Sequence, residues 1–342
     1  MTDAVTIGSD DALCLYAIVP RPGPGVPMTA LADGIELIEG TQFAAIVGRG
    51  AGLSFVGRDR AELARMLLAH QQLVERVMTA LPVLPVKFAT IAPDRASVER
   101  CLENGATAFS DAFAALRGKT QFEILVTWDL DAVFAQIALD PRVVDFKQAL
   151  ASKTDGAPSK EAGVQLGTLV KQIFERRRAD LGRSLSKELS AVAVDCVHNA
   201  LLDDRMVLNL ALLIDAEAVD VLDACLETLD AANDGRLAFR RIGPLPPYSF
   251  ANVEVCFLQA GDIARARELL ALETVDDAET LRFAYRRRVK QVHPDSASDG
   301  GGGEHMGDLK CAYETLSSYV EAGGPVIVSV RRQQSPVAGC PT

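Results

Sequence analysis

Apolar and polar positions change period several times along the chain, and each change marks an element. Residues 13–19 (Leu-Cys-Leu-Tyr-Ala-Ile-Val) form an apolar run stopped by Pro20. This predicts a buried strand, followed by a Pro- and Gly-rich loop to Pro27. Residues 35–38 and 43–47 predict a hairpin with Glu39-Gly40-Thr41 near its turn. Over 59–79 the spacing is helical, with Leu63, Met66, Leu67, His70, Leu73, Val74 and Val77 on one face. Residues 83–91 read as a strand that Pro85 restricts to an edge or bulged position. A helix over about 94–116 completes a unit of strand, hairpin, helix, strand and helix.

Gly118-Lys119-Thr120 marks a boundary, and residues 121–128 begin a second strand set ending at Trp128. Residues 152–160 read as a loop, and a long helix is predicted over 161–203, laced with charge from Lys171 to Lys187. A buried strand at 206–214, a helix at 216–232 and a strand at 236–242 follow. Gly243-Pro244-Leu245-Pro246-Pro247 reads as a rigid turn that places a last strand at 251–258. Two similar folds in tandem fit this order, although no repeat is visible in the residues themselves.

From Gly261 onward helical spacing dominates. A short helix over about 263–271 offers Ile263, Leu269 and Leu270. A helix at 278–292 carries an apolar stripe of Leu281, Ala284, Tyr285, Val289 and Val292. Arg282, Arg286 and Lys290 recur every four residues on another face, with Arg287 beside them. Pro294 ends that helix and Ser296 to Glu304 is a Gly-rich loop. Residues 306–320 form a partner helix with Met306, Leu309, Tyr313, Leu316 and Val320 on one side. Residues 323–342 read as a flexible tail containing the β-prone run Val326-Ile327-Val328.

The net charge of −11 argues against a generic nucleic-acid or membrane-surface binder, so a basic face stands out. The 7 cysteines are odd in number and none pair as C-x-x-C, which disfavours a disulfide framework or zinc site. Most sit in apolar runs, where buried, reduced thiols in a cytoplasmic protein are expected instead. The start is not signal-like, and no apolar run is long enough to span a bilayer. The chain carries no Walker loop, nucleophile elbow or H-E-x-x-H pattern, so no enzyme activity, cofactor, catalytic residue or metal ligand is expected. His70 reads as a hydrogen-bonded structural histidine. Asp195, Cys196 and His198 read as adjacent helical positions that do not converge. Arg176-Arg177-Arg178, with Glu175 and Asp180 interleaved, reads as a solvated face. Lys87 and Phe88 fit a binding surface and an ordinary strand with one solvent-facing lysine equally well.

Ala284-Tyr285-Arg286-Arg287 followed by His293-Pro294-Asp295, with Ala312-Tyr313-Glu314-Thr315-Leu316-Ser317 further on, resembles the J-domain family. The resemblance implies that Arg282, Tyr285, Arg286, Arg287, His293, Pro294 and Asp295 face an acidic groove on a DnaK-type chaperone. Arg288 stands where an apolar core residue is usual, Ser296 where lysine is common, and no fourth helix is evident. The zinc-binding repeats and Gly/Phe-rich linker of general J-proteins are missing, so client binding falls to the first 260 residues.

Those residues resemble the gas vesicle protein F/L family in three places: Leu15-Tyr16-Ala17-Ile18-Val19, His70 to Val77 with Leu81 to Thr90, and Phe239 to Phe250 with its Gly-Pro-Leu-Pro-Pro-Tyr-Ser-Phe run. Ala89 stands where glycine is common and Leu245 where tryptophan is common. The combined reading is an α+β chain. It has two tandem ferredoxin-like domains at 1–118 and 119–260, the second with a long helical excursion, then a J-domain-like hairpin at 261–322 and the tail at 323–342. The resemblance implies a minor vesicle component or assembly factor that binds the hydrophobic shell subunit and other vesicle proteins in the cytoplasm. A purely structural component with a degenerate J-module, and a co-chaperone unrelated to gas vesicles, are the alternatives.

Overall fold

The computed structural model describes residues 11–23, 34–50, 57–152, 160–275, 277–292 and 302–333. The chain forms two compact units, one from Met1–Ala115 and Ala251–Arg332, the other from Leu116–Phe250 and Gln333–Thr342. Both mix helix and sheet. Residues 251–260, expected to finish the second domain, thus belong with the first.

The first unit opens with β1 (Leu13–Pro20), β2 (Ile35–Glu39), β3 (Phe43–Arg49), α1 (Arg60–Met78), β4 (Leu84–Pro85), β5 (Ile91–Ala92), α2 (Arg95–Asn104) and α3 (Ala106–Leu116). The sheet order is β2-β3-β1-β4, with β5 also on β1, and every pair is antiparallel. Leu15, Ala17, Ile18, Val19 and Ala44 to Val47 are all fully buried, as continuous apolar strands require. Asp59 and Asp94 start α1 and α2 by accepting from the Glu62 and Ser97 amides, each at 2.7 Å. The single helix expected at 94–116 is broken at Gly105, the C-cap of α2, where the Phe109 ring, 2.3 Å from an added Cβ, leaves room only for glycine.

The strand expected at 83–91 is two short pieces. Pro85 has no N–H to donate, and the chain then leaves β1. The Val86 amide donates to Tyr16 O, but the Lys87 amide donates to Val253 O, each at 2.9 Å. The chain returns through Ala89 at φ 69, a left-handed conformation that favours glycine. That geometry accounts for the glycine common at this position in the family the sequence resembles. Ala89→Gly is expected to raise unfolding stability by about 0.5–1 kcal/mol, the relief of strain exceeding the added unfolded-chain entropy. Urea unfolding at unchanged slope checks it.

His70 lies inside the first unit, 4% exposed, between the Tyr16 ring at 5.1 Å and the Phe88 edge at 5.6 Å. Its Nε2 is 3.2 Å from Val86 O, an acceptor, so Nε2 carries the proton. Nδ1 is buried with no hydrogen-bond partner. Burial lowers its pKa below the ordinary 6.5, outweighing the Val86 carbonyl that favours the charged form. The unfolded chain therefore binds the extra proton first. The stability that neutral His70 contributes is present above about pH 6.5 and declines as pH falls through that value. Denaturant midpoints measured from neutral to mildly acidic pH are expected to fall more steeply for wild type than for His70→Gln.

The second unit comprises β6 (Lys119–Trp128), α4 (Leu130–Ala138), α5 (Pro141–Ala151), α6 (Lys160–Ala191), β7 (Asp195–His198), β8 (Met206–Asp215), α7 (Val219–Ala232) and β9 (Leu237–Leu245). Its antiparallel sheet runs β7-β8-β6-β9. Alternate β6 residues Phe122, Ile124, Val126 and Trp128 pack with Leu208, Leu210, Leu212 and Ile214 of β8 against Ile173, Phe174, Leu185 and Leu189 of α6. The helix expected over 161–203 stops at Ala191, and 195–198 pair with β8 instead, burying Val197 completely. Asp195, Cys196 and His198 are accordingly strand residues, not helical ones. His198 Nε2 meets Ser186 Oγ at 2.8 Å. Two helices between Trp128 and Ala151 were not anticipated. Asp129 and Asp140 cap them, and Pro141 sits at the first turn of α5.

The chain then re-enters the first unit as β10 (Asn252–Phe257), α8 (Ala260–Leu270), α9 (Ala278–Val292), α10 (Gly302–Glu321) and β11 (Val326–Arg331). β10 and β11 pair antiparallel from Asn252↔Arg331 to Phe257↔Val326. Part of the expected flexible tail is therefore a strand, and β10 is not the last one. The three helices form an insertion within that hairpin.

Candidate functional site

The helical insertion is organised around α10. Leu309, Ala312 and Leu316 of α10 pack with Ala266 and Leu270 of α8 and Leu281 of α9. Asp277 starts α9 by accepting from the Glu279 and Thr280 amides at 2.8 and 2.7 Å. At the base, the Leu258 amide donates to Pro325 O at 2.8 Å. Asn104 Nδ2 of α2 donates to both Ala322 O and Val326 O, at 3.3 and 2.8 Å. The inserted helices are thus tied to the first unit at the point where they begin and end.

The apolar stripe of α9 faces this cluster, which leaves its opposite face outside. Arg282, Arg286, Arg287 and Lys290 are exposed there, and none forms an ion pair among the described residues. Tyr285 is different: its ring lies 4.6 Å from that of Tyr313, and it packs on the interior cluster. The structure therefore brings Arg282, Arg286 and Arg287 together and places Tyr285 at the helix–helix contact. His293, Pro294 and Asp295 lie outside the described residues. Sequence reasoning missed Phe283, which is 69% exposed on the basic face. Its position between Arg282 and the apolar stripe was the available signal.

Other basic residues are already engaged. Arg177 meets Asp140 at 3.4 Å, Arg178 meets Asp204 at 3.2 Å and stands 5.2 Å over the Phe174 ring, and Arg176 meets Asp180. Asp140 also holds Arg142, and these contacts bring its carboxyl down to about 2. Lys87 pairs with Glu254 at 3.1 Å. Burial pushes the Cys14 thiol up to about 11 and that of Cys101 to about 12, so both are unreactive. Cys256 and Cys311 are exposed. Among the described residues no cluster of His, Cys, Asp or Glu is placed to hold a metal, and no helix is long and apolar enough to cross a membrane.

Comparison with known proteins places residues 12–252 within a family model described as gas vesicle synthesis protein GvpL/GvpF. Gas vesicle protein F of Microcystis aeruginosa is 26% identical over 254 residues, spanning 70% of this chain and 98% of the relative. Gas vesicle protein F of a Streptomyces species is 27% identical over 187 residues, 54% of this chain and 77% of the relative. Gas vesicle protein L1 of Halobacterium salinarum is 27% identical over 207 residues, 56% and 72% respectively. The crystal structure of GvpF from Anabaena sp. superposes with a TM-score of 0.59 at 21% identity, covering 70% of this chain and 97% of that one. That of Microcystis aeruginosa GvpF gives 0.54 at 22%, covering 70% and 98%.

The family match ends at residue 252, before α8, so the inserted helices stand on their own geometry. Arg288 is their most specific contact. Its Nε donates to Leu269 O at 2.8 Å, near the C-terminal end of α8, where carbonyls lack helical partners. The Arg288 guanidinium therefore closes the α8–α9 corner. Arg288→Ala is expected to lower stability by about 1–2 kcal/mol. Thermal unfolding, with helix content followed by circular dichroism, checks it.

Proposed function

The chain belongs to the gas vesicle synthesis protein GvpL/GvpF family, and from that premise we propose that it is an assembly factor joining vesicle formation to a chaperone ATPase. Its part in gas vesicle formation follows from the family. The finer reading is that the first 260 residues engage the hydrophobic shell subunit and the inserted helices recruit a DnaK-type partner. A subunit that lines a dry inner wall is prone to aggregate before assembly, so its delivery by a chaperone is physically reasonable. The same reading takes the three helices as a J-domain-like module and each sheet as a variant of the ferredoxin-like arrangement. It assigns the chain no catalytic residue, metal or cofactor.

One observation carries the chaperone half. α9 spends its apolar stripe on the interior cluster and presents Arg282, Arg286 and Arg287 outward without carboxylate partners among the described residues. A basic face followed directly by His293-Pro294-Asp295 suits an acidic partner surface. The second reading, a structural vesicle component, is favoured by the use of Tyr285 and Arg288 in packing.

The test is DnaK ATPase turnover with wild-type protein and with His293→Gln. Stimulation by wild type, lost in the variant, is expected. Absence of stimulation by either overturns the chaperone half. The companion measurement is vesicle formation by a variant in which a short turn joins Leu258 to Pro325. This excision keeps β11 on β10, whereas truncation at 261 would remove a strand of the first unit. Vesicle yield is expected to fall, and normal yield would favour the structural reading.

A further inference from the structure

α7 and β9 of the second unit enclose an open groove of about 500 Å³. Leu226, Leu237 and Phe239 contribute its apolar lining, and Asp223, Glu227 and Asp230 its charge. α7 carries Asp220, Asp223, Glu227 and Asp230 and no lysine or arginine. The groove's one cation is already committed: Arg241 meets Asp223 at 3.0 Å, and its guanidinium stands 5.1 Å over the Phe122 ring. Glu227 and Asp230, both exposed, form no ion pair among the described residues.

The outer face of α9 is the complement of this groove. Phe283 projects an exposed phenyl ring, flanked by Arg282, Arg286 and Arg287. Glu227 and Asp230 are three residues apart on one helix, Arg282 and Arg286 four apart on the other. At 1.5 Å per residue these spacings are about 4.5 and 6 Å, close enough for two charge pairs to form together. A net charge of −11 makes unspecific contact between copies repulsive, so association needs a local match of this kind.

We infer that α9 of one copy docks in the α7–β9 groove of a second copy, with Phe283 in the apolar part and Arg282 and Arg286 on Glu227 and Asp230. The contact is heterologous, so copies join head to tail into strings or a ring. A single helix face gives a small interface, and the association is weak and salt-sensitive. The inference does not depend on the chaperone reading, although both use the same face of α9.

Sedimentation velocity of the full chain across a concentration series tests it. Association is expected to rise with concentration at low salt and fall at high salt. Glu227→Lys with Asp230→Lys in one variant, and Arg282→Glu with Arg286→Glu in another, are each expected to weaken it at least about tenfold, and their equal mixture to restore it. Phe283→Ser weakens it without changing net charge. A monomer at every concentration, association indifferent to these variants, or a mixture that stays dissociated overturns the proposal. The groove variant leaves α9 intact, so its effect on self-association is separable from any loss of DnaK stimulation.

Discussion

The pairing of β10 with β11 is the contact on which the C-terminal third of the chain depends. Six register-matched residue pairs join two segments whose connection carries three helices. Closing a flexible connection of that length costs about 0.6 kcal/mol for each doubling, and a folded insertion whose ends already meet avoids much of it. The ends do meet, through the Leu258–Pro325 hydrogen bond. Asn104 of α2 fastens the exit of the insertion, donating to Ala322 O just after α10 and to Val326 O at the start of β11. Val253 bridges to Val86, so the two-stranded sheet that carries the helices touches the segment that follows β4.

This attachment explains how one helix can hold two kinds of surface. α9 is amphipathic in the ordinary sense, with Leu281 and Ala284 buried. Its outward residues are basic and aromatic in a chain that is otherwise acidic. Several cations elsewhere are paired, as Arg142 and Arg177 are on Asp140 and Arg241 on Asp223. Arg282, Arg286 and Arg287 of α9 have no such partner among the described residues. A helix stabilised from behind, by α10 and by Arg288 on Leu269, can keep these groups available without depending on them for its own stability.

The two units solve the same problem of burying a sheet by different local means. In the first, β1 and β3 are apolar at nearly every position and enclosed. In the second, β6 alternates, and a long α6 covers the face that Phe122, Ile124, Val126 and Trp128 present. Gly243 shows how closely the chain must approach there, since a Cβ would fall 2.7 Å from the Phe122 ring and 2.9 Å from Gln121 O. Gln121, fully buried, holds the segment after this point by accepting the Ser249 amide at 3.0 Å. The Gly-Pro-Leu-Pro-Pro-Tyr-Ser-Phe run is therefore a packed part of the second unit, which accounts for glycine and serine in it on steric and hydrogen-bonding grounds.

Periodicity determined most of the elements, because a stripe such as Leu73, Val74 and Val77 or an alternation such as Phe122 to Trp128 is a local property of the chain. It also determined the basic face of α9, since Arg282, Arg286 and Lys290 keep helical spacing. Tertiary structure decided what local pattern leaves open. Residues 195–198 became a strand because β8 offered an edge to pair with, an interaction that no helical window contains. Val326 to Arg331 became a strand for the same reason, and with it the helices joined the first unit instead of trailing behind the second. Whether Tyr285 or Phe283 faces out, and whether Arg288 is a misfit or a cap for α8, depended on where α8 and α10 stand. Such contacts join residues far apart in sequence, and only the folded chain brings them within hydrogen-bonding distance.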